Sequence, residues 1–343
     1  KNDLANPVSM VFPGQENVQA SGANSGLLTK ESTGSADVVS YTFTANNAGT
    51  YIYHSGTNAQ LQIEMGLVGA IVVRPSVADQ AYNHPDSAYD YEYLFVLTEM
   101  DPAIHHKVAA GLPVDNTEHH PVLWFINGRN GPDTLAGPGV DWLPNQPYDS
   151  LAQVHHGDTA LIRVISAGRD LHQFHTNGNP YKLIGRDGRM MESSPGAGTD
   201  LAVENYTLQA VPGSTYELLW NWTGEKLGWD IFGTGPDFAH TCVSNDGDEF
   251  DDTTKEYCPD HGIDLPVTLP ELTELTFGGF YSGSPFLSAF GALPPGEGGL
   301  NLDGGMFYMW HSHTELELVN NDIYPGGMLT MMIVQPPGVI IPK

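Results

Sequence analysis

Residues 305–328 read GMFYMWHSHTELELVNNDIYPGGM, and this stretch decides the fold. Its first part, MFYMW at 306–310, is an apolar and aromatic run typical of a buried strand. The strand leads to His311 and His313, and residues two apart on a strand project from the same face. A polar loop and a second apolar run, LTMMIV at 329–334, follow. The stretch therefore predicts two buried strands with a pair of imidazoles placed to bind one metal ion or two.

The same design occurs once more, as AGTYIYHSGTNAQLQIEMGLVGAIVVRP at residues 48–75. Aligned with residues 304–337, it places His54 on His311, and the closing apolar strands coincide. The period of this internal repeat is a domain rather than a short unit. Two related β-domains explain it most economically.

Length and composition agree with that interpretation. The 343 residues suit two domains, and the 39 glycines and 25 prolines separate short apolar runs with no long helical periodicity. We predict an all-β protein of two β-sandwich domains, 1–75 and 93–343, joined by a linker at 76–92. The second domain carries a long insertion at about 234–303. Residues 1–13 contain no clear opening strand, so we expect the first domain to lack its opening strands or to receive them from another chain.

Further strands are predicted where apolar and polar residues alternate or where short apolar runs end in turns. These segments are 38–45, 49–54, 67–73, 93–98, 122–128, 156–166, 204–211, 214–222 and 228–233. Three pairs of adjacent histidines, at 105–106, 119–120 and 155–156, are interpreted as surface or turn residues, because neighbours on a strand face opposite ways.

The net charge of −28, from 41 acidic and 13 basic residues, argues against a nucleic-acid partner, which requires a basic surface. An acidic surface keeps a protein in solution and can collect cations. The sequence has no run of roughly 20 apolar residues that would predict a transmembrane segment.

Cys242 and Cys258 lie in one hydrophilic segment, HTCVSNDGDEFDDTTKEYC. A disulfide closing a surface loop is one interpretation, and it favours an extracellular, periplasmic or cell-surface location; two free thiols are the alternative. Carboxylate and amide oxygens between the cysteines could bind calcium, although the spacing of a recognised calcium loop is incomplete and a solvated acidic loop is the alternative. These residues are Asn245, Asp246, Asp248, Glu249, Asp251 and Asp252.

The His-Ser-His strand and its Gly-Gly-Met ending resemble the copper-ligand end of multicopper oxidases, which are built from cupredoxin β-sandwiches. HQFHTNG at 172–178 resembles their H-P-x-H-x-H-G motif, and HSG at 54–56 resembles their first-domain H-S-H. The segments VLWFINGR and HGDTALIRVIS are similar to the family's domain-opening strands. The likeness covers most of 38–233 and 304–337, and the insertion lies outside it. The resemblance implies that both domains are cupredoxin-like β-sandwiches of the Greek-key type.

The resemblance implies copper as the cofactor and assigns ligands one at a time. Four histidines match ligands of the trinuclear oxygen-reducing cluster: His54, His175, His311 and His313. His172 matches a ligand of the mononuclear blue copper, and Met328 matches its weak axial contact.

Several ligand positions depart from the family pattern. Ser312 stands where blue copper needs a cysteine thiolate, and Glu317 stands near the place of that site's second histidine. Asn177 and Gly56 replace trinuclear histidines, and four of the eight expected positions remain filled. The chain therefore resembles a divergent, bacterial-type member without a blue site. A neighbouring subunit could supply missing ligands, as in two-domain family members, so we expect a homo-oligomer or an assembly that shares strands or ligands.

Two functions follow from these observations. One is a multicopper-oxidase-like, copper-binding protein whose oxidoreductase activity is weak, altered or dependent on assembly, with Glu315 or Glu317 as a proton donor. The other is a non-catalytic extracellular or cell-surface structural protein on the same scaffold, in which the histidines are vestigial and exposed strand edges pair with other chains.

Overall fold

The computed structural model describes residues 1–236, 239–264, 306–335 and 338–342, and most of its regular structure is β-strand. The prediction of an all-β protein is confirmed. Two short helices are present among the described residues, α1 (Ala59–Glu64) and α2 (Pro102–Ala109). No helix in this part of the chain is long and apolar enough to cross a membrane.

Seven strands precede the predicted linker. They are β1 (Met10–Val11), β2 (Gln19–Ser21), β3 (Asn24–Ser25), β4 (Lys30–Glu31), β5 (Ser40–Thr42), β6 (Gly49–Ser55) and β7 (Val68–Val73). Strands β1, β6 and β7 form one antiparallel sheet, while β2 pairs with β5 and β3 pairs with β4. Strand β1 lies in the segment where the sequence showed no opening strand.

The remaining strands form a sandwich of two sheets. They are β8 (Tyr91–Met100), β9 (Leu123–Ile126), β10 (Ala152–His155), β11 (Thr159–Ser166), β12 (His172–Thr176), β13 (Tyr181–Arg186), β14 (Arg189–Met190), β15 (Val203–Asn205), β16 (Thr207–Ala210), β17 (Thr215–Asn221), β18 (Met306–Ser312) and β19 (Leu329–Gln335). The five-stranded sheet has the order β10-β19-β18-β12-β16. The seven-stranded sheet has the order β14-β13-β17-β11-β8-β9, with β15 beside β13.

Strand β11 shows how the sequence builds this sandwich. Its sequence TALIRVIS is buried on both faces. Ala160, Ile162 and Val164 belong to the main core between the sheets, whereas Leu161 and Ile165 belong to smaller clusters on the opposite face. The two-residue period of a strand explains this division, and both faces are apolar because each is covered by another layer.

The first sheet covers part of that outer face. Ile52 of β6 packs against Ile165 and Ala167, and the backbone N–H of Thr50 donates a 2.6 Å hydrogen bond to Glu217 Oε1 of β17. Burial raises the pKa of Glu217, although Arg163 Nη1 lies 3.6 Å from its carboxylate. Apolar contact and a buried polar network therefore hold the two β units together.

The internal repeat is visible in atomic detail. His54 pairs with Val68 in the β6–β7 hairpin, as His311 pairs with Leu329 in the β18–β19 hairpin. In both hairpins the histidine Nδ1 lies near the carbonyl oxygen of the next serine, at 2.9 Å in the first and 2.7 Å in the second. Two strands with the same pairing and the same local hydrogen bond support a common origin for the two units.

The described parts of the predicted insertion are 234–236 and 239–264, and residues 237–238 and 265–303 lie outside the described residues. The predicted disulfide is present, with the Cα atoms of Cys242 and Cys258 5.4 Å apart. The predicted strand at 228–233 is wrong, because this segment forms turns. The turns present Asp230 to the disulfide loop instead of adding a strand to a sheet.

Candidate metal centre

Three of the predicted ligands meet at one end of the five-stranded sheet. His175 of β12 lies directly opposite His311 of β18, and His313 follows one residue after that strand. Their ring centroids are 4.5 to 5.5 Å apart. One ligand nitrogen from each ring can be chosen so that all lie within 4.8 Å of one another. We call these three residues the trihistidine centre.

Hydrogen bonds orient two of the rings. His311 Nδ1 donates to the carbonyl oxygen of Ser312 at 2.7 Å, which leaves the lone pair on Nε2. His175 Nδ1 lies 2.8 Å from Thr207 Oγ1. Burial lowers the pKa of His311, and burial together with the neighbouring imidazoles lowers the pKa of His175. Both effects favour the neutral imidazole that a metal ion requires.

His54 is not part of this centre. It belongs to β6, which packs against β11 and β17 of the other sheet, and it is absent from the group of ligand atoms within 4.8 Å. The position corresponding to the next family histidine is Gly56, where an added Cβ would lie 2.8 Å from Val11 Cγ1. A histidine at this position would therefore require the side chains of Val11 and Ser9 to shift.

His172, the predicted blue-copper ligand, is fully buried among carboxylates. Its Nδ1 lies 3.0 Å from Glu317 Oε2, and its Nε2 lies 3.3 Å from Glu99 Oε2. Burial alone would lower the pKa of His172, but the two carboxylates raise it to about 9. Burial likewise opposes ionisation of Glu99, yet the imidazolium of His172 and the backbone N–H of Arg169 lower its pKa overall. The imidazolium of His172 therefore lies between the carboxylates of Glu99 and Glu317.

Other predicted positions surround these two groups. Ser312 is buried in β18, and its Oγ accepts a 3.1 Å hydrogen bond from the N–H of Thr314. Met328 is buried in the main core, and Asn177 Nδ2 lies 3.4 Å from His311 Nε2. Of the two candidate proton donors, Glu315 Oε1 lies 3.5 Å from His313 Nδ1 and is exposed, whereas Glu317 is buried beside His172.

Comparison with known proteins bears on the fold of the chain. Residues 1–78 match the family model described as multicopper oxidase. Comparison with curated protein sequences gave no significant match.

Two solved structures share the fold of this chain over nearly its whole length. The blue copper oxidase from Nitrosomonas europaea is 16% identical with a TM-score of 0.56, and the alignment covers 97% of this chain and 70% of that one. The multicopper oxidase mgLAC is 14% identical with a TM-score of 0.56, and the alignment covers 100% of this chain and 73% of that one. The cupredoxin architecture inferred from the motifs is thereby confirmed.

The sequence did not predict several of the buried partners that the structure shows. The paired histidines were interpreted as surface residues, yet His105 and His119 come from different pairs to lie 3.2 and 3.3 Å from the buried carboxylate of Glu64. His156 is also buried, and burial lowers its pKa to about 4. Glu99 had no local signal, because its partner His172 is distant in sequence.

Side chains of the acidic run accept hydrogen bonds from backbone N–H groups of the disulfide loop. The N–H groups of Thr254, Val243 and Thr253 hydrogen-bond to Asp251 and lower its pKa to about 2. Asn245 Nδ2 donates to Asp252.

The second group of possible metal ligands in the described residues comprises Asp230, His240, Glu256 and His261, which lie around the same disulfide. A signal for it existed: His240 and Glu256 each lie two residues before a cysteine.

Proposed function

We propose that this protein binds copper at the trihistidine centre and is a multicopper-oxidase-type protein. The observation that carries the proposal is the convergence of His175, His311 and His313 from paired strands, with ligand nitrogens within 4.8 Å. Neutral imidazoles suit copper. Partial exposure of His175 and His313 leaves room for an additional ligand on the open side.

Bound copper would supply one-electron redox chemistry toward oxygen. The carbonyl of Ser312 fixes the tautomer of His311 with Nε2 as the ligand atom, and the hydroxyl of Thr207 orients the ring of His175. We propose Glu315 as the proton donor, because it is exposed to solvent and adjacent to His313. Glu317 is less suited to this role, since its carboxylate balances the charge of His172.

We further propose that no blue copper forms. Ser312 offers no thiolate, and His172 is held between Glu99 and Glu317, so the ligands for that site are replaced or engaged. Without a blue site the usual entry for electrons is missing. Oxidoreductase activity would then be weak, altered or dependent on assembly.

A second copy of the chain is our proposed source of further ligands. His54 matches a trinuclear ligand of the family, yet it lies on a different sheet from the trihistidine centre of its own chain. The centre is flanked by the exposed side chains of Tyr206, which stacks on His175, and Leu316. A neighbouring chain would cover these apolar groups. The disulfide fits assembly in an extracellular, periplasmic or cell-surface compartment.

The test is copper content by mass spectrometry, together with electron paramagnetic resonance, on protein supplied with copper. We expect at least one copper per chain, no signal of the blue type, and loss of copper in His311→Ala and His313→Ala. His106→Ala, which changes an exposed histidine elsewhere, should retain the metal. Absence of copper would overturn the oxidase proposal in favour of the structural scaffold, which an ordered polymer seen by electron microscopy would support.

The role of His54 can be tested separately by sedimentation of copper-loaded protein. We expect His54→Ala to lower the copper content of the oligomer, while leaving unchanged the copper bound by separated chains. Equal copper in wild-type and His54→Ala oligomers would contradict ligand sharing, without affecting the proposal for the trihistidine centre.

A further inference from the structure

A second set of metal-ligand side chains lies beside the disulfide, outside the trihistidine centre. It consists of Asp230, His240, Glu256 and His261, which we call the loop cluster. Glu256 lies between the two imidazoles: its Oε1 is 3.0 Å from His261 Nδ1, and its Oε2 is 2.9 Å from His240 Nε2. Asp230 Oδ2 is 3.3 Å from His261 Nδ1. One ligand atom from each residue lies within 4.8 Å of the others.

The charge of the loop cluster calls for a cation. The side chains of Asp230 and Glu256 are each 2% exposed, so solvent does little to stabilise their charge. Within the described residues, the ion-pair partners of these carboxylates are the two histidines, and neither carboxylate pairs with a lysine or arginine. A divalent cation would neutralise both buried carboxylates at once.

The backbone holds the loop cluster in place from two directions. The disulfide Cys242–Cys258 lies two residues beyond both His240 and Glu256. Asp230 is fixed by its own N–H, which donates to the carbonyl of Ile263, and by the N–H of Gly262, which donates to Asp230 Oδ2. Ligands positioned before the metal arrives bind it with a smaller ordering cost.

We propose that the loop cluster is a structural zinc site. Zn²⁺ takes four ligands in a tetrahedron and accepts both imidazole nitrogen and carboxylate oxygen at about 2.0–2.2 Å. Neighbouring ligand atoms in such a tetrahedron are about 3.3 Å apart. The separation of 3.3 Å between His261 Nδ1 and Asp230 Oδ2 equals this value, and each imidazole lies 2.9 or 3.0 Å from one oxygen of Glu256. Zinc would neutralise the two carboxylates and join the turns at 228–233 to the disulfide loop.

The four protein ligands distinguish this site from a catalytic one. A catalytic zinc keeps a position open for water or substrate, whereas a structural zinc is enclosed by four protein groups. Two of the loop-cluster residues, Asp230 and Glu256, are buried, and both histidines are partly buried. The role we assign is therefore to stabilise this segment, independently of copper at the trihistidine centre.

The decisive test removes the trihistidine centre, because three imidazoles could also take zinc. In the full chain carrying His311→Ala and His313→Ala, treated with a chelator, calorimetric titration with Zn²⁺ should give one ion per chain. Adding Glu256→Gln should weaken binding by about 100-fold or more, beyond the 10–100-fold typical of outer-sphere partners. Asp252→Asn, an exposed carboxylate in the same loop, serves as the matched control and should bind zinc like its parent.

A second measurement does not depend on the Glu256 variant folding. Co²⁺ added to the chelator-treated His311→Ala/His313→Ala protein should give the intense visible bands of a tetrahedral ion, and Zn²⁺ should displace them. Zn²⁺ should also raise the melting temperature of this protein. Absence of stoichiometric zinc binding, an octahedral Co²⁺ spectrum, or undiminished affinity in a folded Glu256→Gln variant would each overturn the proposal.

Discussion

His172 Nδ1 lies 3.0 Å from Glu317 Oε2, and both side chains are buried at the position where the family resemblance expects ligands of blue copper. Glu99 completes the arrangement on the other side of the imidazole. Two neighbouring carboxylates stabilise the protonated form of a histidine, whereas a copper ligand requires the neutral ring. At this position the interior of the sandwich is thus stabilised by the ion pairs of His172 with Glu99 and Glu317.

Glu317→Gln should destabilise the protein. The substitution conserves volume but removes one of the two negative charges that stabilise the imidazolium of His172. We expect the free energy of unfolding to fall by roughly 2–4 kcal/mol, as for other broken buried ion pairs. Urea denaturation checks this value. Glu315→Gln, on an exposed side chain two residues earlier, should change it by less than about 0.5 kcal/mol; equal effects of the two variants would contradict the role of Glu317.

Stability should also depend on pH through His172. The folded pKa of about 9 exceeds the ordinary value of 6.5, so the folded state binds the proton more tightly. The stabilisation is therefore fully present below about pH 6.5 and is lost as the pH rises toward 9. The difference corresponds to about 3 kcal/mol. Unfolding free energies of wild type and His172→Gln, measured from pH 6 to 10, should converge as the pH rises; parallel curves would refute the assignment.

Arg163→Met should weaken the contact between the first sheet and the sandwich. Arg163 is fully buried and lies within 3.6 Å of Glu217, whose carboxylate also accepts the N–H of Thr50. Removing the positive charge also breaks the 2.6 Å ion pair between Arg163 Nε and Glu92, and we expect a loss of about 3–5 kcal/mol in unfolding free energy. Arg189→Met, on an exposed arginine, is the control for loss of charge alone. A small effect of Arg163→Met would show that Glu217 is neutral in the folded protein.

The disulfide should contribute measurable stability. Cys242 and Cys258 are separated by 16 residues, and closing a loop of this size is worth about 3 kcal/mol in the chain-entropy treatment. We expect the double substitution Cys242→Ser and Cys258→Ser to lower the unfolding free energy by about this amount in urea denaturation. Zinc added to the double variant should recover part of the loss through the loop cluster. Unchanged stability without zinc would show that other contacts already order the loop.

Much of the fold could be predicted from local sequence. The apolar run before His311 and its repeat before His54 identified two strands, and their two-residue period placed His311 and His313 on one face. The family motifs then identified His175 as the third member of the trihistidine centre. Segment 228–233 was misassigned, because an apolar pattern of that length cannot distinguish a strand from packed turns.

The sequence by itself determined the strand-forming runs, the repeat and the identity of the replaced ligands, because these depend on residues close together in the chain. Tertiary structure alone decided which side chains meet. The register of β12 on β18 placed His175 opposite His311, and packing of the two sheets brought Glu99 to His172. Asp230 reached His261 in the same way, across a long interval of sequence. Such partners are selected by the geometry of the whole core, which no local pattern encodes.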